Sequence, residues 1–270
     1  MMVGSMSETN SAFLRERDRY FAPSVLAPFV DDVARRLMRL TMGPLLEVMC
    51  DTGVLTQAMA SSLSAGLTIV ATDPNRTAID HAAAKPGMAR INWQVAHPDA
   101  LSFPDAAFGM VTCHFGVTGL ANRVRVYREI RRAIKPNGRF VFSIPGAIRL
   151  NPVAACLDNV LQDLFPHDPP DFLTHVLHGY ADNDAVDDDL TEAGYTDAIY
   201  TSVERPFAAQ SARDAAAAYC LGTPLRSQLY ARSPNGMESI LQAATAALEA
   251  RFGSGPVAAP MRAHVISAAG

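Results

Sequence analysis

The turn Glu47-Val48-Met49-Cys50-Asp51-Thr52-Gly53 separates a short apolar run from a helical pattern. The free N–H groups at such a helix start face whatever the turn holds. Twenty residues beyond Gly53 a second apolar run ends in Asp73-Pro74-Asn75. A carboxylate there can accept hydrogen bonds from both hydroxyls of a ribose, so turn and acid together point to a nucleoside-containing ligand. A dinucleotide would ask for GxGxxG, and only Gly53 stands in this turn, which argues against a nicotinamide oxidoreductase. His114 closes another apolar run; its imidazole suits a general base, or equally a polar strand end bonded to backbone. His175 and His178 lie three apart and share a face if their segment is helical, as substrate contacts or as a plain surface pair. A metal would need further carboxylate or histidine partners, so no metal is expected. The acidic run Asp182 to Asp189 reads as the capped start of a helix, and Ser143 lacks the GxSxG setting of a serine hydrolase.

These positions sit in a chain of 270 residues, 49% hydrophobic and 19% charged, which is an ordinary globular composition. The net charge of −4, with basic residues scattered, argues against wrapping a phosphate backbone, so no nucleic-acid partner is expected. A small-molecule substrate fits better. Cys50, Cys113, Cys156 and Cys220 form no CxxC pair and read as reduced thiols of a cytoplasmic protein. No apolar run is long enough to span a bilayer, so no membrane partner is expected, while a homodimer is possible. Residues 1–11 read as a disordered or expression-derived leader, with a native start at Met6.

The elements that must position the site alternate β-branched or apolar runs with helical patterns. That alternation predicts an α/β fold: a doubly wound, mostly parallel sheet with helices on both faces. Helix is expected over Phe21–Leu40, Val54–Leu63, Arg76–Ala84 and Arg123–Ile134, and strand over Leu45–Met49, Leu67–Thr72, Ile91–Val95, Phe108–His114 and Arg139–Ile144. Lys135-Pro136-Asn137-Gly138 is the turn that stops the last of these helices. Later come helices at Ala154–Leu164, Asp184–Ala193, Ser211–Leu221 and Gly236–Phe252, with strands at Thr196–Val203 and Pro260–Ile266, seven strands in all. Residues 12–145 read as a cofactor-binding core and 146–270 as the end of the same sheet with a helical lid and acceptor-binding insertions.

Four segments, in order, resemble the class I S-adenosylmethionine-dependent methyltransferases of the small-molecule type. They are Leu45–Val48 with Thr52–Thr56, Ala71-Thr72-Asp73, Asp99–Phe108, and Ile130–Phe142. The resemblance implies a Rossmann-like fold and S-adenosylmethionine as cofactor. Glu47, Met49, Asp51 and Gly53 would form its loop, Asp73 and Pro74 hold its ribose, and His97, Pro98 and Asp99 lie near its adenine. Tyr20 would close over it from the N-terminal side. His114 would stand near the transferred methyl as cofactor contact and base, with Phe115, Gly116, His175 and His178 lining the acceptor pocket.

The sequence departs from the family where the cofactor is touched. Met49 and Asp51 replace the first two loop glycines, His97 stands in place of an acid, and Gly109 replaces the usual Asp. A carboxylate about 5 Å from the cofactor's own would cost roughly 3 kcal/mol at an effective dielectric near 20. The resemblance therefore implies methyl transfer to a small molecule. The alternative is a methyltransferase-like protein that has lost normal cofactor binding and serves as a non-methylating enzyme or partner protein.

Overall fold

The computed structural model describes residues 11–40 and 42–270, so the leader expected over residues 1–11 lies outside the described residues except for Ser11, which is already helical. The chain divides into two compact units. One comprises Phe29–Pro145, Ala181–Val203 and Ala263–Gly270; the other comprises residues through Pro28, Gly146–Tyr180 and Glu204–Arg262.

The first unit carries the sheet. Its strands are β1 (Leu45–Val48), β2 (Ile69–Asp73), β3 (Asn92–Val95), β4 (Phe108–His114), β5 (Ile134–Pro145), β6 (Ala198–Ala209) and β7 (Val257–Ala269), in the order β3-β2-β1-β4-β5-β7-β6. The first five pair in parallel and β7 runs antiparallel to β5; the far ends of β6 and β7 continue into the second unit. This is the doubly wound seven-stranded fold that the alternation predicts. The strand order reverses between β1 and β4, which is where such sheets open a crevice at their carboxyl ends. Every residue of β1 and β2 is buried, as parallel strands covered on both faces require.

Helices α1 (Ala27–Met38), α2 (Val54–Ser62), α3 (Arg76–Ala83) and α4 (Arg123–Ala133) belong to the predicted set. Val30, Val33 and Leu37 of α1 repeat at helical spacing and join Leu45, Leu55, Met59, Ile69, Ile79, Met110 and Val141 in one core. The carbonyls left open at the end of α2 are met by the Arg90 guanidinium. It donates to Met59 O (3.3 Å), Ala60 O (2.9 Å), Leu63 O (3.1 Å), Ser64 O (3.2 Å) and Leu67 O (3.3 Å). Arg90→Ala is expected to lower stability by roughly 2 kcal/mol in chemical denaturation, and Arg90→Lys to recover less than half, since a point-like ammonium cannot span the fork. Full recovery by lysine would show that charge alone matters there.

Arg132 fastens the Asp99–Phe108 stretch to α4, bonding Leu101 O (3.1 Å), Phe103 O (2.8 Å), Asp105 (2.6 Å) and Glu129 (2.7 Å). That guanidinium holds the Glu129 carboxyl below the usual range. The expected turn Lys135–Gly138 bulges from within β5, which begins at Ile134, and the β4–β5 register shifts between Phe108 and Met110. Gly109 lies at that shift; a Cβ there would come within 2.6 Å of the Met42 backbone, so glycine is the residue that fits.

In the second unit, residues 11–16 are helical and lead into a π-helical stretch, Arg17–Leu26. Pro23 sits inside it, lacking an N–H, and Ala27 N–H reaches five residues back to Ala22 O. The helix starts earlier than the apolar period suggests because its charged first turns hide the one deeply buried residue, Leu14. Helix α5 (Pro152–Leu164) precedes a short π-helical stretch, Phe172–Leu177. Helix α6 (Asn183–Glu192) belongs to the sheet unit. The alanine-rich α7 (Ala212–Cys220) packs on the N-terminal helical run, with Phe21 edge-on to Tyr219 at 5.8 Å. Helix α9 (Met237–Phe252) follows the expected bounds closely. The intervening α8 (Leu225–Arg232) is not among the predicted helices, because only Leu225 and Leu229 repeat on its buried face.

Candidate functional site

The loop after β1 keeps glycine's backbone without glycine's residues. Met49 (φ 57°), Asp51 (φ 52°) and Gly53 (φ 77°) all take left-handed conformations at alternate positions. For a residue with a Cβ this costs about 1 kcal/mol or more, least for Asp, whose short side chain tolerates the region. Gly53 alone has no space for a side chain, since a Cβ would lie 3.0 Å from Ala82 Cβ and 3.4 Å from both Met88 and Trp93. Steric pressure thus explains why the third glycine stands while the first two positions carry side chains.

Asp73 ties this loop to the end of β2. Its Oδ2 accepts the Asp51 N–H and its Oδ1 the Asn75 N–H, each at 2.9 Å. The Ala96 N–H donates to Asp73 O (3.2 Å), which brings the His97-Pro98-Asp99 segment alongside. There His97 is exposed, Pro98 buried, and Asp99 pairs with Arg125 at 3.3 Å. Pro74 is half-buried at the strand end. Lys85 donates its ammonium to Thr52 O at 2.6 Å, setting one positive charge beside the loop.

Glu47 lies beneath the loop, 1% exposed, with its Oε2 accepting the Thr56 hydroxyl at 2.5 Å. Burial, added to the nearby charges of Asp73 and Asp51, pushes its pKa up to about 8. A carboxyl raised above its unfolded value favours the fold fully below about pH 4.5, and that contribution is lost as pH rises through about 8. Glu47→Gln is therefore expected to flatten the fall in stability between pH 5 and 8 and to gain on the order of 2 kcal/mol at pH 8, read from urea midpoints. An unchanged slope would show that Glu47 does not carry it.

His114 stands at the end of β4, half-buried, its Nδ1 2.6 Å from Ser143 Oγ on β5. Its ring stacks on Phe115 at 4.5 Å. Phe115 has φ 58°, an outlier for a bulky residue, and buries its ring against Phe29 at 5.7 Å. Gly116 follows, next to Met49: a Cβ on it would lie 2.7 Å from Met49 Cβ. The sheet unit thus brings together Glu47, Met49, Asp51, Gly53, Asp73, Pro74, His97, Pro98, Asp99, His114, Phe115 and Gly116. Thr56 and Ser143 are the partners that the sequence does not place in this site. Thr56 could be found from its place in the first turn of a helix whose start follows Glu47, and Ser143 by counting the parallel register back from Pro145.

Tyr20, His175 and His178 fall in the second unit. Tyr20, with Arg19 stacked 4.9 Å over its ring, lines a cleft of about 410 Å³ with Ser24, Gln210 and Asp214. His175 is exposed beside Thr174. His178 is buried and donates Nδ1–H to Gly146 O at 2.7 Å. Burial pulls its pKa down to about 4, so the ring is neutral, and its Nε2 has no partner among the described residues. All four cysteines are free and buried, and no group of three His, Cys, Asp or Glu is placed to hold a metal ion among the described residues. No described helix is long and apolar enough to cross a membrane.

Residues 46–142 match the family model of the methyltransferase domain. The ubiquinone/menaquinone biosynthesis C-methyltransferase UbiE of Geotalea uraniireducens (strain Rf4) is 33% identical over 110 residues, 38% of this chain and 47% of that protein. The chain thus spans about half the length of the curated relatives it matches. Among solved structures, Haemonchus contortus phosphoethanolamine N-methyltransferase 2, in complex with phosphomonomethylethanolamine and S-adenosylhomocysteine, superposes with a TM-score of 0.52 at 12% identity, over 88% of this chain and 52% of that one. The [4+2]-cyclase SpnF superposes with a TM-score of 0.51 at 16% identity, over 90% and 80%. The sheet order, the left-handed loop and the matched segment together mark residues 46–142 as a methyltransferase domain on a Rossmann-like sheet.

Proposed function

We propose that this protein binds S-adenosylmethionine at the carboxyl ends of β2, β1 and β4 and transfers a methyl group to a small-molecule acceptor. The observation that carries this reading is the preserved loop backbone at Met49, Asp51 and Gly53, pinned to Asp73. When bound, the cofactor supplies an electrophilic methyl group. Asp73 accepts two backbone N–H groups at the end of β2, where a carboxylate can also meet ribose hydroxyls. Pro74, His97, Pro98 and Asp99 extend the crevice on the adenine side, and Glu47 supports the loop from below.

His114 is the base. Ser143 Oγ at Nδ1 orients the ring, and an imidazole so held can take a proton from a hydroxyl or an acidic carbon of the acceptor. Phe115 and Gly116 flank it. The C-methyltransferase names of the relatives support carbon as the acceptor atom. Isothermal titration calorimetry with S-adenosylmethionine should give a micromolar Kd; neither heat nor a thermal shift would sink the reading.

Met49 and Asp51 favour a second reading, a non-methylating protein on the same fold. It predicts no methyl transfer by the wild type toward any acceptor that the Met49→Gly, Asp51→Gly double variant methylates. Equal turnover by both would remove it.

A further inference from the structure

If ribose sits at Asp73 on β2 and the acceptor at His114 on β4, the ligand must cross β1, which lies between them. That is two strand spacings, about 10 Å. The residue at the end of β1 is Met49. Its side chain turns toward β4, and the space left by Gly116 is what admits it: a Cβ on Gly116 would lie 2.7 Å from Met49 Cβ and 2.8 Å from Cys113 Sγ. Bare backbone at 49 would leave that space to a ligand; methionine takes it. The next left-handed residue, Asp51, adds a carboxylate beside Asp73, and Lys85 sets its ammonium on Thr52 O. A further carboxylate brought against Asp51 meets like charge. The ribose-holding acid, by contrast, is intact.

We propose that Met49 is the specificity-determining residue of the crevice, which holds 5′-thioadenosine nucleosides by their nucleoside end and gives little grip to the amino-acid arm. The inference rests on the nucleoside reading given above and names the ligand class that this crevice selects. S-adenosylhomocysteine and 5′-methylthioadenosine share the nucleoside and a neutral sulfur and differ in the arm, so they are the probes.

Calorimetry on the full chain should find the two binding wild type within fivefold of each other. Met49→Gly, which suits the left-handed backbone, should tighten S-adenosylhomocysteine more than fivefold while moving 5′-methylthioadenosine less than fivefold. Met49→Leu, of similar bulk, should leave both where they were. If wild type prefers S-adenosylhomocysteine by more than fivefold, or if Met49→Gly shifts both ligands alike or neither, the selection is overturned and the nucleoside reading stands. If neither ligand binds wild type or Met49→Gly, the nucleoside reading itself fails and takes this inference with it. Circular dichroism of each variant separates a binding change from a folding defect.

Discussion

Replacing Asp73 by alanine is expected to abolish nucleoside binding and to lower stability by roughly 2–4 kcal/mol. The stability loss follows from the two backbone N–H groups, of Asp51 and Asn75, that this carboxylate accepts at 2.9 Å. Hydrogen bonds to a charged group contribute roughly 1.5–3 kcal/mol each, less whatever solvent repairs in the alanine variant. Asp73 is 6% exposed, so water repairs little. The binding loss has two sources: the ribose hydroxyls lose their acceptor, and the loop at Asp51 loses the tether that holds its left-handed turn. Together these should exceed 100-fold in Kd. Asp73→Asn separates them. Its amide oxygen can still accept one N–H, but its NH2 must face the other, so stability should fall less than in alanine while affinity still drops by tenfold or more. Urea denaturation and calorimetry on the two variants check the pair of effects. A nucleoside Kd within fivefold of wild type in Asp73→Ala would mean that the ribose lies elsewhere.

The same residue shows what a sequence can and cannot convey. Asp73 was legible because its chemistry needs only a position, the end of a strand a fixed distance beyond a turn. The strands and helices were legible for a similar reason: buried parallel strands read as apolar runs, and the Pro136-Gly138 turn marks where a helix must stop. Local strain was not legible. Nothing in the letters of Met49 or Phe115 announces φ values of 57° and 58°, because those arise from the loop's tethers and from close packing between strands. The departure at Gly109 read as a lost acid; in the fold it is a close approach to the Met42 backbone. Helix α8 escaped because its two buried leucines give too short a period, although Thr223 bonds its first N–H at 3.3 Å and Pro224 precedes it. Ser143 lacks the sequence setting of a nucleophile; what places it is register, which sets it directly across from His114.

That pairing leads to the other large expected effect. His114→Phe should lower kcat by about 10²–10⁴-fold while leaving the nucleoside Kd within threefold, because the base acts on the acceptor and phenylalanine can keep the stacking on Phe115. Ser143→Ala sharpens the assignment. Without Oγ at 2.6 Å from Nδ1 the tautomer is less firmly set, so kcat should fall by a smaller factor, about tenfold. Ser143→Thr, which restores a hydroxyl, should recover part of the rate; no recovery would make the serine purely structural. A screen of small molecules by methyl transfer from labelled S-adenosylmethionine identifies the acceptor for these assays. If His114→Phe turns over that acceptor within tenfold of wild type, the imidazole is only a strand-end contact. The geometry would then place the burden of catalysis on alignment across the end of β1, where proximity alone can account for much of a methyl-transfer rate.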